Sequence, residues 1–191
     1  MDCTLHYDSP LGGITIAGCG GALVGLWFDG QEHFGEALSP EHCERPLPVL
    51  AQAARWLDIY FGGGVPDFTP PLELRGTAFR REVWELLLSI PYGQTATYGR
   101  LAERIAKARG TVRMSARAIG GAVARNPISL IVPCHRVLGA GGALTGYAAG
   151  TERKEWLLGL ESYRGRRNAL AHCNDVIFHM VWLGADIWLV P

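Results

Sequence analysis

Cys134, His135 and Arg136 stand side by side, directly after Pro133 and the apolar run Leu130-Ile131-Val132. A thiol attacks only as its thiolate, and a free cysteine pKa of about 8.5 falls when cations, imidazoles or helix N-termini lie beside it. His135 and Arg136 are such neighbours in sequence, so an ionised Cys134 is expected. Adjacent side chains on an extended backbone point apart, so His135 would act through a bridging water rather than by contact. A general base also needs a group to orient it, and Glu161, near the end of a helix that starts at about Thr151, is the candidate carboxylate. The run 130–132 reads as a buried strand that ends at Pro133, which has no N–H to donate. Other readings of the same residues are an inert buried thiol and a cysteine hydrolase using Cys134, His135 and Glu161 as a triad. Metal binding has little to support it, because no second Cys/His pair lies near Cys134-His135 at chelate spacing.

Several elements must position these groups. Ile14, Ile16, Leu23, Leu26 and Phe28 alternate with small or polar residues between Gly-containing turns, which predicts a meander of short strands. Leu50, Ala53, Ala54, Leu57, Tyr60 and Phe61 form one helical stripe, stopped by Gly62-Gly63-Gly64. A Pro-rich stretch then separates an N-terminal α/β unit from a mainly helical one. There, Phe79, Val83, Leu87 and Ile90 repeat at helical spacing. A second helix is expected from the N-cap Thr97, and a third from about Ser115 to the Asn126-Pro127 pair, where the proline forces its predecessor out of helical geometry. Helix, glycine-containing break and helix have the shape of a helix-turn-helix. The third helix is built of Ala116, Ala118, Gly120, Gly121, Ala122 and Ala124. Interior glycines cost roughly 1 kcal/mol each against alanine, so close approach to another surface should compensate. That surface is either a neighbouring helix or a minor groove about 6 Å wide.

Composition narrows the classes. About half of the 191 residues are apolar, which is enough for a packed core without staples. The five cysteines are scattered and odd in number, and the expectation is a reducing, cytoplasmic setting. The apolar stretch Val176 to Val190 is broken by His179, Gly184 and Asp186 and falls short of the roughly 20 residues a membrane helix requires. No membrane partner is expected. Net charge is zero, yet it is unevenly spread: acids dominate before residue 75, whereas Arg100, Arg104, Lys107, Arg109, Arg113, Arg117, Arg125 and Arg136 face only Glu103 between Tyr98 and Arg136. Such a stripe can hold a polyanion on a neutral molecule, or be an ordinary solvated face.

Pro133-Cys134-His135-Arg136-Val137, followed by Leu144-Thr145-Gly146-Tyr147 and Lys154-Glu155-Trp156-Leu157-Leu158 through Glu161, resembles the active-site block of the O6-alkylguanine-DNA alkyltransferases. These are also called methylated-DNA-protein-cysteine methyltransferases. Phe79 to Trp84, Ile90-Pro91-Tyr92-Gly93, Thr97-Tyr98-Gly99, Ala116-Arg117-Ala118-Ile119-Gly120 and Asn126-Pro127 resemble further blocks of that family, in order. Ser9-Pro10-Leu11-Gly12 and the Tyr60-Phe61 region resemble its ribonuclease-H-like N-terminal domain. The likeness runs from about residue 4 to 161.

The resemblance implies that Cys134 accepts the alkyl group in a single irreversible turnover, that His135 is its water-mediated base and that Glu161 orients His135. Tyr98 would protonate N3 of the departing guanine. Arg117 would fill the gap left by an extruded nucleotide, with Ala116, Gly120, Gly121, Asn126 and Arg136 on the DNA-binding side and Asn126 also supporting the active-site turn. Tyr147, Ala148, Val137 and Lys154 would line the base pocket. The implied partner is double-stranded DNA carrying O6-alkylguanine, bound by a monomer, with no cofactor and no metal. It also turns the small-residue helix into a minor-groove helix, and makes steep salt dependence the expectation.

The expected organisation is a ribonuclease-H-like α/β domain over 1–66, a linker over 67–76, a DNA-binding and alkyl-acceptor domain over 77–163 and an extension over 164–191. Three features depart from the family pattern. The helix-turn-helix turn is enlarged around Ala106 to Arg113, where Lys107, Arg109 and Arg113 could add phosphate contacts or the loop could hinder docking. Ala148-Ala149-Gly150 replaces a second glycine, which would narrow the pocket toward small alkyl groups such as methyl. Some members hold a structural zinc, for which Cys19 is placed suitably but the other ligands do not line up. The apolar extension would pack on the domain, self-associate or stay disordered.

Overall fold

The structure, a computed structural model, describes the backbone of residues 1–171 and side chains through Ser162; the expectations for the side chains of the 164–191 extension lie outside the described residues. The fold is mixed α/β, an N-terminal sheet unit followed by a helical one. Strands β1 (Asp2–Ser9), β2 (Gly12–Cys19) and β3 (Ala22–Phe28) form the meander, and a fourth strand joins to give the order β3-β2-β1-β4. The β1–β2 turn is closed by Ser9, whose hydroxyl donates to Gly12 O at 2.6 Å and accepts from Leu11 N at 3.2 Å. Strand β4 (His42–Glu44) was not expected; it pairs parallel with β1 and sets Cys43 opposite Cys3.

Helix α1 (Pro48–Phe61) begins with a proline whose missing N–H costs nothing at that position. It lays Val49, Leu50, Ala53, Trp56, Leu57 and Tyr60 on the sheet. Helices α2 (Ala78–Leu88), α3 (Tyr98–Ala108) and α4 (Ala116–Ala124) are each capped by the hydroxyl of the preceding Thr77, Thr97 or Ser115. Helices α3 and α4 pack together, joined by the long connection 109–115. Trp84 of α2 donates its indole N–H to Ala122 O at 2.8 Å, which locks α2 against α4. Short strands β5 (Ala96–Thr97) and β6 (Val137–Leu138) pair in parallel, and α5 (Thr151–Ala171) closes the unit.

One continuous core runs through both units, from Ile14 and Phe28 to Val132 and Leu157. The join lies along the edge of β3. Leu23 N donates to Pro71 O and Glu73 N donates to Leu23 O, each at 2.8 Å, so the stretch expected as a linker is stitched to the sheet rather than free. Arg75 continues the stitching with two bonds to Asp2, at 2.6 and 3.0 Å, which hold that carboxyl well below its usual range. Farther along the edge, Leu26 N donates to Pro127 O at 2.9 Å and Ser129 N to Leu26 O at 2.8 Å. The segment leading into the acceptor turn is therefore an extra, very short sheet partner. No helix among the described residues is long and apolar enough to cross a membrane.

Candidate active site

The run 130–132 is not the expected strand. Only Ile128 bridges to Leu26; after it the chain coils. Ile131 N donates back to Ser129 O at 2.8 Å around Leu130, whose φ is 69°, the strained hand of γ-turn. Cys134 N donates to Val132 O at 2.8 Å around Pro133, with φ −83° and ψ 64°, the relaxed hand. The reason lies in Asn126, which is buried and replaces a strand partner. Its Nδ2 donates to Val132 O at 2.7 Å and to Ile128 O at 3.3 Å, while its Oδ1 accepts from Ile128 N at 3.1 Å. Asn126 thus supports the turn as expected, but it is only 3 % exposed and offers no surface to DNA.

Cys134 opens a single 3-10 turn, Cys134–Arg136, that presents the three residues in succession. The thiol is 4 % exposed, and its Sγ accepts from Asn126 Nδ2 at 3.1 Å. Burial pushes its pKa up; the Asn126 bond, the charge of Lys154 and the nearby backbone N–H groups pull the other way without overcoming it. The resting sulfur is therefore a thiol, not the ionised group expected from its cationic neighbours. His135 is fully buried, with Nε2 2.8 Å from Glu161 Oε1. A carboxylate only accepts, so the ring carries its proton on Nε2, and Nδ1, buried and without a hydrogen bond among the described residues, keeps a free lone pair. Burial lowers the His135 pKa, with Glu161 opposing and Arg136 and Lys154 reinforcing.

Glu161 is held from all sides. Oε1 accepts from Tyr60 Oη at 2.8 Å and Arg136 Nη2 at 2.9 Å besides His135, and Oε2 accepts from Arg136 Nε at 2.8 Å and Gly93 N at 3.1 Å. Burial alone would raise its pKa, but the bonds from His135 and Arg136 more than offset this and bring it to about 2. Arg136, expected on the DNA-binding side, is thereby corrected: it is buried, turned inward to Glu161 and to Ile90 O at 2.8 Å. Tyr60 and Gly93 were not among the expected site residues. Tyr60 looked like one more apolar position in the α1 stripe, and a backbone N–H carries no sequence signal.

Lys154, expected in the base pocket, is fully buried behind it. Its ammonium donates to Val137 O at 2.6 Å, Thr145 O at 2.8 Å and Gly146 O at 3.4 Å, pinning the 139–147 loop. Val137 likewise sits in the core on β6. Ala148 is half-buried and accepts from Glu32 N at 2.9 Å. Tyr147 is half-buried, and burial, with the repulsion its phenolate would meet from an ionised Cys134, holds its hydroxyl well above its usual pKa. Tyr98, at the start of α3, donates to Gly146 O at 3.2 Å; burial first, and then the repulsion its phenolate would meet from an ionised Cys134, keep it protonated. It borders a cleft of about 400 Å³ lined also by Thr97, Gly99, Ala116, Gly120 and Ala140.

Helix α4 turns Ala116, Ala118 and Gly121 outward and buries Ala122. Ala116, Arg117 and Gly121 are exposed, and a Cβ added at Gly121 would meet nothing within 4 Å. At Gly120 it would make only ordinary contact with the Tyr98 ring at 3.9 Å. Packing within the chain therefore does not demand these glycines. Arg117 makes no ion pair or hydrogen bond among the described residues. In the enlarged turn, Arg109 is tied to Glu82 by two bonds, at 2.8 and 2.6 Å, and lies over Phe79. Of the three cations expected to add phosphate contacts there, it is the one already engaged. Among the described residues no three metal-ligating side chains cluster.

Residues 4–74 match the ribonuclease-like domain of 6-O-methylguanine DNA methyltransferase, and residues 78–163 match its DNA binding domain. The methylated-DNA–protein-cysteine methyltransferase of Mycobacterium tuberculosis strain H37Rv is 44 % identical over 163 residues, 84 % of this chain and 94 % of that protein. Its Haemophilus influenzae namesake is 40 % identical over 82 % of this chain and 84 % of its own. A crystal structure of Mycobacterium tuberculosis OGT in complex with DNA superposes with a TM-score of 0.72 at 42 % identity, covering 85 % of this chain and 93 % of that one. With both of the family's domains matched in order around the Cys134-His135-Glu161 cluster, this chain belongs to the 6-O-methylguanine DNA methyltransferase family.

Proposed function

We propose that this protein repairs alkylated double-stranded DNA by moving a methyl or other small alkyl group from O6 of guanine to Sγ of Cys134, once per molecule. The observation that carries the reading is the His135 ring, fixed through Nε2 on Glu161, with Nδ1 without a hydrogen bond among the described residues, on the same 3-10 turn as the buried thiol of Cys134. A methyl on O6 is out of reach inside a stacked duplex, and extruding a poorly paired base costs only a few kcal/mol. Arg117, exposed and uncommitted, fills the vacated stack, and the outward glycines of α4 let its backbone approach the groove. In the pocket the thiol proton passes to His135 Nδ1, directly or through water, as sulfur attacks. The S–C bond forms, the C–O6 bond breaks, and its electron pair stays on guanine, whose N3 takes the Tyr98 proton. The imidazolium formed is stabilised by Glu161, and its proton replaces the one lost by Tyr98. A thioether offers no good leaving group, so no second turnover follows.

We read the chain as a ribonuclease-like unit to residue 66, a stitched linker over 67–76 and an acceptor unit over 77–163, acting as a monomer within a reducing compartment. The test is to incubate the protein with an O6-methylguanine duplex and weigh the intact chain. One added methyl, mapped to Cys134, is expected, and Cys134→Ala binds the duplex without gaining mass. Methyl on another cysteine, or product beyond one equivalent, rejects the reading.

A further inference from the structure

The acceptor cluster lies in the C-terminal unit with one exception. Tyr60 belongs to α1, packed on the N-terminal sheet, yet its hydroxyl reaches Glu161 across 101 residues of chain. It is 0 % exposed, stacked on Trp56 with ring centroids 5.2 Å apart and edge-on to Tyr92 and His135 at 6.1 and 6.4 Å. A ring in that place would fill the core equally well as phenylalanine. The hydroxyl is the unexplained part, and burying one demands a partner. It lies 2.8 Å from Glu161 Oε1 and 3.5 Å from His135 Nε2, at the corner where the carboxylate and the imidazole meet.

That position has an electrostatic consequence. The His135 ring faces the carboxylate of Glu161 and the ammonium of Lys154 on α5, the guanidinium of Arg136 on its own turn and the phenol of Tyr60 on α1, against which Tyr92 packs edge-on. Only Glu161 favours a proton on Nδ1. A donor on Oε1 drains charge from the very oxygen that supports the imidazolium, and so biases the ring toward its neutral form.

We propose that Tyr60 is a positioning residue for alkyl transfer: by donating to Glu161 Oε1 it fixes the carboxylate against His135 and keeps Nδ1 free to take a proton, so the acceptor site is completed by the ribonuclease-like unit. This rests on the reading of Cys134 as acceptor and His135 as its base. Tyr60→Phe keeps the ring and removes only the donor. Loss of that donor leaves Glu161 more fully charged toward His135, so His135 holds its proton to higher pH.

The experiment measures single-turnover methyl transfer from an O6-methylguanine duplex across pH for wild type, Tyr60→Phe, Glu161→Gln and the double variant. The His135 imidazole is titrated in parallel by nitrogen NMR. In Tyr60→Phe the acid limb of the rate and the His135 titration both move up by roughly half a pH unit, with duplex affinity unchanged. In the Glu161→Gln background the same change moves neither, because the coupling runs through the carboxylate. A purely structural tyrosine would lower Tm and leave both where they are, and that result overturns the proposal even if the rate falls. Wild type that gains no methyl at Cys134 would instead reject the acceptor reading itself, and this inference with it.

Discussion

The side-chain amide of Asn126 donates to the sulfur of Cys134 at 3.1 Å while the same nitrogen holds Val132 O at 2.7 Å. Ile128 N donating to Oδ1 fixes which end of the amide is which. One side chain therefore shapes the turn and touches the atom the turn exists to present.

Asn126→Ala leaves the buried Ile128 N without the acceptor it finds in Asn126 Oδ1, at a cost of about 1–3 kcal/mol, and takes the side-chain donor from Val132 O and Ile128 O, which keep only the backbone bonds from Cys134 N and Val132 N. We expect a loss of about 3 kcal/mol, or roughly 10 °C in Tm, by thermal unfolding. Transfer to Cys134 should slow even where the variant stays folded. A variant as stable as wild type would remove Asn126 from its role in the turn.

Gly121→Ala separates folding from docking. The added methyl meets nothing in the chain, and alanine is favoured over glycine in a helix by up to about 1 kcal/mol, so Tm should hold or rise. Against a groove surface the same methyl is overpacked, and duplex affinity should fall by about tenfold in a titration. Unchanged affinity would mean that this face of α4 does not approach DNA.

Arg117→Ala should slow repair of a duplex roughly 10- to 100-fold, the worth of a few kcal/mol of support to the flipped state. Dealkylation of the free base needs no flipping and should be nearly unaffected. Parallel rate assays on the two substrates decide it, since equal slowing would remove the wedge role.

Glu161 predicts an acid limit to stability. Its folded pKa of about 2 lies below that of an unfolded glutamate, so its stabilisation is complete above the unfolded value and is lost as pH falls through the folded one. Asp2, held down by Arg75, acts in the same direction. Chemical denaturation across this acid range should show stability falling by on the order of 2 kcal/mol from Glu161, with the slope flattened in Glu161→Gln. A wild-type slope in that variant would place the acid sensitivity elsewhere.

What the sequence could express was periodic or punctuated. The α1 stripe, the helix starts at Thr97 and Ser115 and the Asn126-Pro127 stop all rely on rules that act within a few residues. The β-branched run 130–132 misled because a side chain, Asn126, supplied the hydrogen bonds that a strand partner would have given. Strand β4 escaped notice because three residues carry no alternation. Arg136, expected on the DNA-binding side, and Lys154, expected in the base pocket, differ from their observed places because a charge in a sequence does not say whether it meets a phosphate, a carboxylate or a set of carbonyls. Tyr60 was legible as core and illegible as a donor, since its partner lies 101 residues away.

The near-closure of the Cys134 thiol, protonated and 4 % exposed, bears on how long each molecule stays useful. A reagent consumed by its first reaction is vulnerable to every soluble electrophile and oxidant it meets before finding damage. Reactive thiolates are the forms such agents attack, and an enclosed neutral thiol is a poor target for them. Keeping the sulfur dormant until a flipped base arrives preserves each copy for the one event it can perform.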